Sequence, residues 1–122
     1  MTSSIQLSAV NDRSYNRGPL NVAVIQMNSI DDVDANLNQA EQLLSDCDPS
    51  CDCVVFPEVF NYRKTSIASS NYSESLNGRT TDWLSTMAKQ HNVAIIGGSM
   101  IESTDTPKWM NTCVCVDKNG TV

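Results

Sequence analysis

Two short, nearly unbroken apolar runs, residues 20–27 and 51–56, are separated by one helix-length amphipathic segment, and that spacing specifies a βαβ unit. The first run is interrupted only by Asn21 and Gln26, as expected of a strand covered on both faces of a parallel or mixed sheet. Asp31 or Asp32 can then cap a helix in which Val33, Leu37, Ala40 and Leu44 recur at helical spacing, with Asp34 suited to the positive end of its dipole. That helix should end near Asp46. Pro49 breaks the chain, and residues 51–56 form the second strand after a right-handed crossover.

The second strand ends in Phe56-Pro57-Glu58. Pro57 cannot donate to a ladder and holds Phe56 extended, so the strand should stop here and deliver Glu58 to the carboxyl edge of the sheet. Ligands of open α/β sheets bind at that edge, which makes Glu58 the candidate catalytic residue. Tyr62 and Arg63 follow on a polar segment, residues 61–78, read as a long surface connection; both are candidates for lining a substrate pocket. Thr80 or Thr81 caps a second helix carrying Trp83, Leu84, Met87, Ala88 and His91 on its apolar stripe, with Asn92 as a left-handed terminator. Residues 93–96 are the third strand. Gly97-Gly98-Ser99 closes it, where missing Cβ atoms allow another backbone or a ligand to come close. Residues 111–116 alternate as a half-buried strand before the turn signal Asn119-Gly120. Only Thr121 and Val122 remain for a returning strand, so the expectation is of a longer parent domain.

The 122 residues fit one domain, and 14 acidic against 8 basic residues, net −6 without a Lys/Arg cluster, disfavour nucleic acid and anionic membrane as partners. No run approaches the roughly 18 apolar residues of a spanning helix, and residues 1–19 lack a secretory core, so a cytoplasmic protein is expected. Residues 1–19 read as a disordered tail; Arg13, Arg17 and several serines with Asp12 as the sole acid also suit an organelle presequence. Five cysteines without secretory features imply reduced thiols. Cys51/Cys53 and Cys113/Cys115 read as small buried strand residues, the alternative being a four-thiolate zinc site that lacks the usual C-x-x-C spacing. Asn71-Tyr72-Ser73 and Asn119-Gly120-Thr121 match the glycosylation pattern, which acts only on a secretory route. His91 sits where a helix end favours positive charge, and reads as structural.

Taken in order, Val22-Ala23-Val24-Ile25-Gln26-Met27, Val55-Phe56-Pro57-Glu58, Leu76-Asn77-Gly78 and Val93-Ala94-Ile95-Ile96-Gly97-Gly98-Ser99 resemble the amino-terminal half of the nitrilase, or carbon–nitrogen hydrolase, superfamily over residues 20–122. The resemblance implies an α/β fold, a nitrilase-like α-β-β-α sandwich present here as its first half, and a homo-oligomeric full-length form built by stacking sheets. It also implies a Glu-Lys-Cys triad acting on a small-molecule amide without metal or organic cofactor. Glu58 would be the general base that takes the proton of the cysteine thiol. A lysine would stabilise the tetrahedral intermediate, and water would hydrolyse the thioester. The triad lysine and cysteine are expected beyond residue 122: Lys118 reads as a solvated turn residue, and Cys53 lies about five residues along the strand from Glu58, too far for direct proton transfer.

Three readings follow. The first is an amidase-like enzyme represented by a portion that is inactive in isolation. The second is a catalytically inactive shortened paralogue that pairs with a full-length subunit. The third is a freestanding thiol or zinc protein, which would bind metal and melt cooperatively alone.

Overall fold

A computed structural model describes residues 2–5 and 18–122; the side chains of 2–5 are not described. In chain order the elements are β1 (Thr2–Ile5), β2 (Leu20–Val24), α1 (Val33–Ser45), β3 (Cys53–Val55), α2 (Arg79–His91), β4 (Ala94–Ile96), β5 (Met100–Ser103), β6 (Trp109–Thr112) and β7 (Cys115–Val116). A mixed sheet runs β1-β2-β3-β4-β7, with a parallel β2-β3-β4 centre and antiparallel edges; β5 and β6 form a separate two-stranded ribbon. The βαβ unit is thus as expected. The tail expected over residues 1–19 contains a strand at Thr2–Ile5, antiparallel to β2; the rest of that expectation up to residue 17 lies outside the described residues.

Asp32 caps α1 by accepting from Ala35 N–H at 3.0 Å, and Asp46 closes it. Asn92 ends α2 in the left-handed region, with φ 50°. The amino end of α2 departs from expectation: Gly78, not a threonine, is the cap residue and offers no side chain. Thr80 turns inward, and the carboxylate of Glu74 accepts its N–H at 2.7 Å in place of a local cap.

The sheet register explains where the core sits. Ala23, Val54, Ile95 and Val116 are lateral neighbours, all buried, and pack with Leu37, Ala40 and Leu44 of α1 and Leu84, Met87 and Ala88 of α2. One residue along, Val24, Val55, Ile96 and Cys115 form the row on the opposite face. Val24 is 51% exposed, Ile96 38%, and Cys115 is open to solvent. The sequence led us to expect both faces of the first strand to be covered. The helical side is covered along the strand; on the other side Val22 is buried, at 3% exposure, and the open part begins at Val24.

The strand expected over residues 111–116 is split: β6 pairs with β5, and β7 crosses to the main sheet, with Val114 O accepting from Gly97 N–H at 2.8 Å. The expected alternation of burial holds, but the segment is two strands in two sheets rather than one. Cys113 and Cys115 are exposed rather than buried, because they project from the open face; Cys51 is buried and Cys53 half-buried.

Loop and helix are also tied by a buried amide. Asn36 of α1 accepts from Ile30 N–H at 2.9 Å and donates to Ile30 O at 2.7 Å and Asn61 O at 2.9 Å. Asn36→Leu, of similar size, leaves Ile30 N–H and Asn61 O without partners among the described residues, while Ile30 O keeps the Arg63 N–H, and should cost about 2–4 kcal/mol in urea unfolding. A loss within about 0.5 kcal/mol would show that water replaces the amide.

Candidate active site

Glu58 stands where the sequence predicts, three residues past the end of β3, at the start of a turn over residues 58–61. The parallel ladder continues just beyond the strand, with Phe56 N–H donating to Ile96 O at 2.9 Å, and then Pro57 ends it. Phe56 and Phe60 flank the turn, stack at 5.1 Å, and meet Trp83 of α2 at 5.8 and 6.0 Å. These rings pin both stems of the turn into the core while the carboxylate between them stays exposed.

The turn itself is strained. Val59 has φ 46°, a conformation that a β-branched residue adopts only when its surroundings impose it. Ser99 supplies one such restraint, its Oγ accepting Val59 N–H at 3.0 Å. Ser29 Oγ donates to Phe60 O at 2.9 Å, and Asn36 holds Asn61 O. Gly98, at φ 59°, brings its backbone against the same turn: a Cβ there would lie 1.9 Å from Pro57 O. The close approach expected at Gly97-Gly98-Ser99 is therefore to the backbone beside Glu58. On the open side, Asn111 of β6 donates from Nδ2 to Glu58 Oε1 at 2.8 Å.

The other sequence-level candidates are placed as follows. Tyr62 stacks on Tyr72 at 5.0 Å and donates its hydroxyl to Ser70 O; Arg63 is exposed, with its backbone N–H on Ile30 O. Neither is joined to Glu58 by a hydrogen bond among the described residues. Lys118 is exposed in the turn, where Gly120 N–H donates to Asp117 O and Asp117 N–H to Thr121 O. His91 lies at the far end of the sheet, lining a cleft of about 340 Å³ with Cys47, Cys51 and Val93, and its Nε2 has no partner among the described residues. No three His, Cys, Asp or Glu side chains converge as metal ligands among the described residues. Burial pushes the thiols of Cys47, Cys53 and Cys113 up, away from the lowered value that activates a nucleophile.

What the sequence did not reveal is the polar interior behind the turn. Within the segment read as a surface connection, Asn61 is 2% and Glu74 7% exposed. Glu74 accepts from Thr80 N and Thr80 Oγ1, from Tyr72 OH at 2.8 Å, and from Asn61 Nδ2 at 3.2 Å. One signal was available: Glu74 is the only acid between Glu58 and Asp82, and it precedes a helix that lacks a good cap. Tyr72 is pushed up to about 12, first by burial and then by its hydrogen bond to the Glu74 carboxylate. A phenol held protonated in the fold stabilises it fully below the ordinary value of 10.0, and that contribution disappears as pH rises towards about 12. The raised thiols act in the same direction, from about 9 upwards. The urea midpoint should therefore fall steadily above pH 9, and Tyr72→Phe should remove the part of the fall above pH 10; an unchanged slope in the variant would assign the loss elsewhere.

A mixed sheet with two helices on one face, a carboxylate delivered by a proline-terminated strand and a glycine loop closing on it define the amino-terminal part of a nitrilase-type fold. Solved structures agree. A CN-hydrolase superfamily protein from Xanthomonas campestris superposes with TM-score 0.72 at 24% identity, covering 84% of this chain and 38% of that one. Nit3 of Saccharomyces cerevisiae, a branch 10 nitrilase-superfamily member, gives TM-score 0.72 at 23% identity, covering 84% and 41%. In sequence, residues 21–122 match the carbon-nitrogen hydrolase family model, and the chain belongs to that family. Omega-amidase NIT2-B of Xenopus laevis is 34% identical over 88 residues, which are 71% of this chain and 32% of that protein. Omega-amidase NIT2 of Danio rerio is 31% identical over 102 residues, 83% and 36% respectively. The chain thus spans about a third of the length of these relatives. No helix among the described residues is long and apolar enough to cross a membrane.

Proposed function

We propose that this chain supplies the general-base part of an amidase-like carbon–nitrogen hydrolase acting on a small non-peptide amide. The observation that carries the reading is the delivery of Glu58: a strained turn held by Gly98, Ser99, Ser29 and Asn36, with the carboxylate presented beyond it to solvent and to Asn111. Such a carboxylate can accept the proton of a cysteine thiol, leaving a thiolate to attack the amide carbon; a lysine ammonium can stabilise the oxyanion as the C–O double bond opens. Collapse expels the amine, protonated by the same carboxylic acid. Water, deprotonated by Glu58, then hydrolyses the thioester and regenerates the thiol. No described cysteine is hydrogen-bonded to Glu58, and burial raises rather than lowers the thiols of Cys47, Cys53 and Cys113, so the lysine and thiol are proposed to come from outside these residues and the chain alone to be inactive. The kinship with omega-amidases favours ω-monoamides of small dicarboxylic acids as substrates.

The test is a chimera in which residues 21–122 replace the matching segment of the Xenopus laevis omega-amidase. Release of ammonia from an ω-monoamide by the chimera, and none by the 122-residue chain, supports the reading. A folded chimera without turnover, or turnover by the chain alone, overturns it.

The open row of Val24, Val55, Ile96 and Cys115 supports a second proposal, that the chain works within an assembly. Apolar sheet faces of parallel strands are covered in stable α/β proteins, and here the covering layer is lacking among the described residues. In an α-β-β-α sandwich this face packs against the second sheet, so a full-length enzyme would fill it from its own domain and form its homo-oligomer through other surfaces, whereas an inactive short paralogue would cover it by pairing with a longer subunit.

A further inference from the structure

Glu58 and Asn111 belong to different parts of the fold, one on the turn after β3 and the other on the outer ribbon, yet a 2.8 Å hydrogen bond joins their side chains. One buried residue is bonded to both supports. Through its carboxylate Glu74 holds the side chain of Asn61, three residues beyond Glu58, and Asn61 is fixed a second time by Thr80 Oγ1 at 3.0 Å. Through its backbone Glu74 holds the ribbon: its N–H donates to Ile101 O at 3.0 Å, and its carbonyl accepts Ser103 N–H at 2.7 Å. Ile101 lies directly opposite Asn111 in the ribbon register. The same carboxylate accepts two hydrogen bonds from Thr80, which sets the first turn of α2 and hence Trp83 against Phe56 and Phe60.

We propose that Glu74 is a positioning residue that sets the register between the Glu58 turn and the Asn111 ribbon, and so aims the Glu58 carboxylate. This rests on the reading of Glu58 as the general base. The physical argument is satisfaction. A buried carboxylate with four donors converging on it has one low-energy arrangement, whereas an amide at the same place presents N–H groups to at least one of those donors and loses that arrangement. Glu74→Gln keeps the volume and replaces one of the two acceptor oxygens by a donor. The turn then loses its hold on Asn61, and the strain at Val59 drives it to relax.

The experiment is NMR on the full 122-residue chain, following solvent exchange and shift separation of the two Asn111 Nδ2 protons, with the Val54 and Ile95 amides as reporters of the core. Glu74→Gln should accelerate Asn111 side-chain exchange on the order of fivefold and collapse the shift separation, leaving the core amides protected. Thr80→Val, which removes a hydroxyl shared by Glu74 and Asn61, should do the same, and Thr80→Ser should restore the wild-type signature. An Asn111 signature unchanged in a folded Glu74→Gln or Thr80→Val chain overturns the proposal. So does parallel loss of protection at Asn111, Val54 and Ile95, which marks a general stability role. Glu58→Ala in the same chain, which removes the acceptor of the Asn111 amide, should abolish the signature, confirming its source. An inactive chimera would defeat the general-base reading while leaving this coupling intact, so the two failures are distinguishable.

Discussion

Glu58→Gln in the chimera with the Xenopus laevis omega-amidase is expected to lower kcat by about 10²–10⁴-fold, the ordinary contribution of a positioned general base. KM should move far less, because the amide retains the shape and one acceptor oxygen of the carboxylate while losing the ability to take a proton. Two further features make the expectation specific. The hydrogen bond from Asn111 Nδ2 to Oε1 can be kept by the glutamine carbonyl, so the side chain need not swing away. Fold stability should also be nearly unaffected, since Glu58 is exposed and its turn is held by backbone contacts on either side. A kcat within a factor of about three of the parent would show that the proton goes elsewhere.

The second large effect is expected at Gly98. Gly98→Ala puts a Cβ 1.9 Å from Pro57 O and 2.6 Å from Phe56 O, both backbone atoms, at a φ of 59° that an L-residue adopts with difficulty. Neither neighbour can rotate aside, because Phe56 N–H is bonded to Ile96 O and the Phe56 ring is buried against Phe60 and Trp83. Clash and dihedral strain together should destabilise the chain by about 3 kcal/mol or more in chemical denaturation. Whatever folded population remains should show a displaced Glu58 turn, read as shifted Val59 and Asn111 resonances. A variant with unchanged stability would mean that the β4–β5 loop does not sit on Pro57.

The contrast between these two residues shows what could be read in advance. Glu58 was legible because its signal is local: an apolar strand, a proline that ends it, and an acid one residue later. Gly98 was legible only as a site of close approach; that its neighbour is the carbonyl beside the catalytic candidate is a fact of β3 and β4 lying side by side. Glu74 was not legible. Its role depends on Asn61, Tyr72, Thr80 and the β5 backbone arriving together, and a Ser/Asn-rich stretch gives no periodic sign of a buried carboxylate. Tyr62, taken as a pocket candidate from its place after Glu58, packs on Tyr72, a neighbour that its position in the sequence does not announce. The threonines expected to cap α2 yielded to a side chain four residues before the helix cap.

The sequence by itself determined the succession β2-α1-β3-α2-β4, the end of β3, the left-handed stop at Asn92 and the family, because each rests on residues near one another along the chain or on ordered short motifs. Tertiary structure alone decided which face of the sheet is covered, how residues 111–116 divide between two ladders, and how buried polar side chains brace the Glu58 turn. Periodicity records that a face is apolar but not what lies against it, and a hydrogen bond between residues 53 positions apart leaves no trace in local composition.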